Sequence, residues 1–387
     1  MGRVATFDNS KLESLSKPRH FDVILLLTAI ALVGFSVVMV YSTTGVMSQE
    51  KFGDHLYFVK RQLLAIVIGL TLMAACSRVS LRHLQVLSPF LLFCAAAGTL
   101  LPLLPGLGLA GGGAYRWVML GPIRFQPAEF SKLFFVIFLA GFFARHESQL
   151  CTFSYGIFKP GLLTLLVAGP LLFQPDFGSF AILSVVSVIM AMLAGVRLRH
   201  IVFSVMTLAV GMGSLIAVSP YRMKRVLAFL SPFSDPAGKG YQLIQSLIAI
   251  GSGQTTGVGL GAGQQKLFYL PAAHTDFIFA VVGEELGFVG CSVLLLVFVI
   301  FLWRGLKLSS RLVNNVFAFS LSAGLTLIIV VPALLNVGVV TGLLPTKGLV
   351  LPLVGYGGSS IVASLMAVGL LLAVAREERA GLIPERS

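Results

Sequence analysis

About ten apolar blocks follow one another along this chain, most of a length that crosses a hydrocarbon core of roughly 30 Å as a helix, with the fifth and sixth short. They lie near residues 22–42, 62–77, 84–104, 127–144, 160–174, 178–196, 200–219, 277–303, 316–340 and 358–375. A closed barrel would need polar and apolar residues to alternate, and blocks such as VGCSVLLLVFVIFLW (Val289–Trp303) do not. Only 11% of the 387 residues are charged and 57% are hydrophobic, against about 25% charged in a soluble domain. The expected fold is therefore an all-α polytopic membrane protein, with residues 1–387 forming a single membrane domain. The first block follows a polar segment, runs long and lacks an A-x-A cleavage site, so it is expected to stay as the first span.

The basic residues set the orientation. With the N-terminus inside, the short cytoplasmic segments hold Arg78 and Arg82, Arg145 and Lys159, Arg197 and Arg199, Arg304, Lys307 and Arg311, then Arg376 and Arg379. Every short loop on that side is basic, as the positive-inside rule asks. The chain is then N-in and C-in, with cytoplasmic tails at 1–21 and 376–387. A long extracytoplasmic loop, 220–276, lies between the seventh and eighth spans. Its Gly, Pro and apolar content suits short helices and turns packed on the outer face. The net charge of +13 is spread among the loops, which fits topology signals and lipid head groups and argues against nucleic acid as a partner. Cys76, Cys94, Cys151 and Cys291 stand singly, so neither a zinc site nor a disulfide framework is read.

Carboxylates are scarce, yet Asp276, Glu284 and Glu285 all sit where the eighth span begins. Asp276 has two readings. It can cap that helix, or serve as a partly buried proton acceptor beside the polar His274. Glu284 and Glu285 can face a cavity, cap or pair. Glu129 and Lys132 share a helix face and can form an ion pair. Asp176, in QPDFG between the fifth and sixth spans, can accept backbone donors at a tight turn or helix break, or lie near substrate. Arg116, Arg124, Arg222, Lys224, Arg225, Lys239, Lys266 and Lys347 lie on the same outer side and suit either an anionic ligand such as a pyrophosphate or anionic lipid. GSGQTTGVGLGAG lacks the ending of a P-loop; its glycines suit tight turns close to another backbone. In YGGSS, Ser359 or Ser360 can cap the last span or reach a cavity.

Taken together, these segments resemble one family. They are MVYS, RWV after a glycine run, QPAEFSKL, QPDFGS, YRMKRVLAFLSPFSDPAGKGYQ, QKLFYLPAAHTDFIFAVVGEELG and LPTKGLVLPLVGYGGSS, in that order over nearly the whole chain. The resemblance is to the SEDS proteins of shape, elongation, division and sporulation, and to the division type more than the elongation type. Ala128 and Phe130 stand where Ser and Leu are commoner, and Gly355 where Ser is frequent; no charged position departs.

The resemblance implies a peptidoglycan glycosyltransferase of the bacterial inner membrane, placed at the division septum with its site on the extracytoplasmic side. It would polymerise lipid II, with undecaprenyl pyrophosphate as leaving group. Asp276 would be the residue needed for polymerisation, read chemically as its general base. Glu129, Lys132, Asp176 and Ser360 are the other family positions, while Arg116, Lys132 and Lys266 are the expected pyrophosphate or acceptor contacts, with His274 and Lys347 nearby. The implied partners are a class B penicillin-binding protein (an FtsI-type transpeptidase), other division proteins and membrane lipids. A divalent cation, magnesium or manganese, is left open as an aid to the leaving group. The competing classes are a lipid II flippase or transporter and a non-catalytic scaffold, with an elongation-type polymerase as the variant within the family.

Overall fold

A computed structural model describes residues 22–383, except Gly112, Gly113, Pro122, Ala237, Lys239 and Phe268. The expected tail at 1–21, the end of the other tail at 384–387 and the candidate Lys239 lie outside the described residues.

Twelve α-helices run in the described chain: α1 Val23–Phe52, α2 Tyr57–Cys76, α3 Leu81–Leu100, α4 Pro127–Arg145, α5 Lys159–Phe173, α6 Phe177–Leu193, α7 Leu198–Ala217, α8 Pro220–Leu230, α9 Tyr241–Ser252, α10 Ile278–Ser310, α11 Val316–Val340 and α12 Gly358–Arg379. Among the described residues, nine helices are long and apolar enough to cross a membrane, and the tenth expected span is α6, at 17 residues. The chain is a multi-pass membrane protein. α4, α11 and α12 are buried over most of their length and form the centre, while α7 is the least covered. The expected outer loop holds α8 and α9 joined by turns.

α1 continues ten residues past its expected end because its polar tail has buried work to do. Thr43 and Thr44 hydroxyls donate to the Met39 and Val40 carbonyls, and Ser42 donates to Glu285. Asp22 caps the start of α1 by accepting from the Leu25 amide at 3.2 Å. It also accepts from Arg304 Nη2 at 2.7 Å, which ties α1 to α10 at the end of the bundle where the chain enters and leaves. α12 runs 22 residues from the opposite end to Arg379, about 33 Å at 1.5 Å per residue.

The all-α expectation missed one element. β1 (Gly108–Gly111), β2 (Ala114–Leu120) and β3 (Ile123–Phe125) form a small antiparallel sheet, β1-β2-β3. Val118 pairs with Phe125 and Leu120 with Ile123, and a bulge lies between Leu109 and Ala110. The alternation in AYRWVML and the glycines on either side carry a strand signal that hydropathy averaging hides.

α10 is broken at Gly287, whose φ of 65° and ψ of −162° no helix contains. Residues 254–259 fill the break. Val258 and Gly259 amides donate to the Glu284 and Glu285 carbonyls at 3.0 Å, and the Phe288 and Val289 amides donate to Gln254 and Thr255 at 2.9 and 3.0 Å. Two carbonyls and two amides freed by the break are thereby satisfied. A Cβ on Gly257 would stand 2.1 Å from the Glu285 carbonyl oxygen, so the glycine run permits the close backbone approach read from the sequence.

Candidate active site

A cavity of about 1220 Å³ opens at the end of the bundle away from Asp22 and Arg379. It collects residues distant in sequence because five elements start or stop there: β2, the first turn of α4, the α5–α6 turn, the loop before α10 and the loop before α12. Arg116, Glu129, Lys132, Asp176, His274, Asp276 and Ser360 all line it.

Lys132 Nζ donates to Glu129 Oε1 at 2.7 Å, one turn apart on α4, and only 8% of the Lys132 side chain is exposed. Neutralisation makes burial of that ammonium tolerable. Asp176 caps α6, accepting from the Ser179 amide at 3.2 Å and the Ser179 hydroxyl at 2.8 Å. The backbone-accepting role read from the sequence is therefore present, and Asp176 also borders the cavity. Arg116 reaches across from β2: its Nη2 donates to the Pro175 carbonyl at 2.7 Å and lies 3.8 Å from Asp176 Oδ1. Its buried Nε has no hydrogen-bond partner among the described residues.

Asp276 does not cap α10, whose N-cap is Phe277 with no side-chain cap bond. The capping alternative thus falls away. Burial pushes the Asp276 carboxyl up to about 6, opposed by the nearby Arg116 charge, a Thr275 hydrogen bond and Arg225, and aided by Asp176. A half-buried carboxylate that titrates near 6 is a serviceable proton acceptor at neutral pH. His274 is pushed down to about 4 by burial and by Lys51, so its ring is neutral. It packs beside Phe58 and Tyr356, at 5.5 and 5.8 Å between ring centres.

Two expected contacts stand elsewhere. Lys266 does not line the cavity; its Nζ is bound by Glu285 Oε1 at 2.5 Å, Ser42 Oγ at 2.9 Å and the Gly261 carbonyl at 2.8 Å. Glu284 is likewise occupied, accepting from the Gln264 and Gln265 amides at 2.7 and 3.1 Å. Both glutamates therefore fasten the outer loop to α10. Lys347 also misses the cavity lining; its ammonium lies 4.4 Å from the Phe177 ring centre, and burial lowers its pKa. Both serines line the cavity and neither caps α12; Ser359 accepts from the Gln126 amide at 2.9 Å.

Arg61 lines the cavity and was not among the sequence candidates. Its guanidinium lies 4.5 Å from the Tyr57 ring centre. The available signal was a Lys60–Arg61 pair at the head of the second span, on the side where positive charge is unexpected. Among the described residues no three His, Cys, Asp or Glu side chains group as metal ligands.

The FTSW_RODA_SPOVE family model, described as cell cycle protein, matches residues 22–380. A Thioalkalivibrio sulfidiphilus protein named probable peptidoglycan glycosyltransferase FtsW is 42% identical over 375 residues, covering 96% of this chain and 94% of its own. Stage V sporulation protein E of Bacillus subtilis is 38% identical, over 92% of this chain and 98% of its own. Among solved structures, a chain from a peptidoglycan synthase complex described as coordinating polymerization and crosslinking matches with a TM-score of 0.73 and 31% identity, over 92% of this chain and 98% of that one. The rod shape determining protein RodA of Thermus thermophilus matches with a TM-score of 0.68 and 28% identity, over 92% and 97%.

Proposed function

The chain belongs to the FtsW, RodA and SpoVE family of cell cycle proteins, and from that premise we propose how it acts as a peptidoglycan glycosyltransferase. The substrate is lipid II, whose sugars enter the cavity at the extracytoplasmic surface. Asp276 takes the proton from the acceptor 4-hydroxyl as that oxygen attacks the anomeric carbon of the donor. The bond from that carbon to the lipid pyrophosphate breaks, and the leaving group carries away the electron pair. Direct displacement of an α-linked donor inverts the centre and makes a β-1,4 linkage.

The pyrophosphate is already a good leaving group and needs its charge stabilised, not protonated. Arg116, which lines the cavity and acts electrostatically on the Asp276 carboxylate, suits that task. Glu129 and Lys132 neutralise one another and shape the wall. Ser360 and His274 contribute hydrogen-bonding surface for sugar. Lys266 and Lys347 leave the list of ligand contacts and take structural places.

The observation that carries this reading is Asp276 itself, a carboxylate displaced to about 6, facing a large cavity and free of any capping duty. Similarity to relatives named FtsW supports a division role at the septum. The match to a synthase complex supports a class B penicillin-binding protein as partner. The test is purified protein with labelled lipid II. Glycan strands from the native chain and none from equally folded Asp276→Asn are the expected result. Transbilayer movement of lipid II without strands from the native chain would replace this reading with a flippase.

A further inference from the structure

α11 carries one amide side chain in an otherwise apolar stretch, VVPALLNVGVV. Asn336 is buried there, with 1% exposure. Its Nδ2 donates to the Asp276 carbonyl at 2.7 Å and to the Leu349 carbonyl at 2.5 Å. Burying a primary amide in apolar surroundings is costly unless its hydrogens are used. Both hydrogens are used here, while Oδ1 is buried without a partner among the described residues, and neither bond closes a helix or a sheet. They join two irregular loops, one leading into α10 and one leading towards α12. A second stitch lies nearby, where the Tyr356 amide donates to the His274 carbonyl at 2.9 Å. The loops are brought so close that a Cβ added to Gly348 would stand 3.0 Å from Asp276 Oδ2.

We propose that Asn336 is a positioning residue for the polymerisation reaction: by bonding the Asp276 and Leu349 carbonyls together, it sets where the reacting carboxylate stands. This rests on the reading of Asp276 as the base. The residue reaches no substrate itself; it acts through the backbone of the residue that does. A misplaced base loses rate steeply, because proton transfer needs hydrogen-bond reach in the transition state. The charged groups facing the Asp276 carboxylate are Arg116 from β2, Asp176 from the α5–α6 turn and Arg225 from α8. None of these is held by Asn336, so opening the clip leaves them in place and lets the carboxylate move away from them into water. Burial is the first cause of its displacement, so a wetter Asp276 titrates lower.

The experiment follows strand formation from labelled lipid II by the purified full chain across roughly pH 4 to 8. Asn336→Leu keeps much of the shape and removes both donors. It is expected to lower kcat about tenfold or more, leave KM within about threefold, and move the acid limb of the rate to lower pH. Asn336→Gln, which keeps the donors, is expected to return the limb towards its native position. A native rate and limb in Asn336→Leu overturns the proposal, as does a rate lost only in proportion to unfolded protein with the limb unmoved. Gly348→Ala provides an arm that does not depend on the buried site, since Gly348 is exposed. Its methyl group displaces water from the carboxylate and is expected to move the limb upward. If Asn336→Leu yields no folded protein, Asn336→Ala, which also lacks both donors, takes its place, and a native rate and limb in it overturns the proposal. Asp276→Asn separates the two readings: strand formation by that variant removes the base, whatever Asn336 does.

Discussion

Asp276 and Glu285 lie nine residues apart across the start of one helix, and they have opposite fates. Glu285 is fully buried and saturated, with Lys266 at 2.5 Å and Ser42 at 2.7 Å. Asp276 is half-buried, faces a cavity and meets Arg116 and Arg225 only as charges at a distance. The first carboxylate has been closed by the fold, and the second has been left open. A closed charge holds parts together; an open one is available to a ligand. Lys266 therefore belongs with the architecture although its sign suits a pyrophosphate.

The strongest test of that contrast is activity. Asp276→Asn keeps the shape and removes the base, and strand formation is expected to fall about 10²–10⁴-fold. The unfolding temperature in detergent at neutral pH should rise, because Asp276 caps nothing and burial of its ionised carboxylate, which holds its value up at about 6, costs stability that the neutral amide does not. The mirror substitution is Glu285→Gln, which strands the Lys266 ammonium. Breaking a buried pair this way costs about 3–5 kcal/mol, so the unfolding temperature should fall, while the rate per folded molecule stays within about threefold. If Glu285→Gln instead loses activity at unchanged stability, the division between closed and open charge fails.

A subtler test uses pH. The base must be ionised to accept a proton, and its value is raised to about 6. The rate should thus hold above that pH and drop about tenfold for each unit below it. Arg116 holds the Asp276 value down, so Arg116→Gln should shift the acid limb to higher pH and weaken neutral-pH activity about tenfold. The smallest effect belongs to Lys60→Ala. Its pair with Asp54 spans 2.7 Å but stands in solvent, and neither unfolding nor strand formation should change measurably.

Much of this was legible in the chain. The spans could be read because lipid demands long apolar helices, and the Glu129–Lys132 pair because a spacing of three residues fixes a shared face. Asp276 and Arg116 could be named as candidates but not joined, since the strand carrying Arg116 is folded back by a sheet invisible to hydropathy. Lys266 was misassigned because its partner lies 19 residues onward, beyond any local spacing rule. Asn336 gave little signal: one amide in an apolar helix shows no acceptors until two distant loops are brought beneath it.

The interruption at Gly287 bears on how the protein is made. From Phe288 to Ser310 the helix covers about 35 Å, sufficient by itself to cross a bilayer as it leaves the translocon. The preceding stub, Ile278 to Leu286, is too short to do so and draws its missing backbone partners from residues 254–259. Insertion can therefore be complete before the surroundings of Asp276 are assembled, and that end of the bundle is finished only when the already synthesised residues 254–259 dock into the gap.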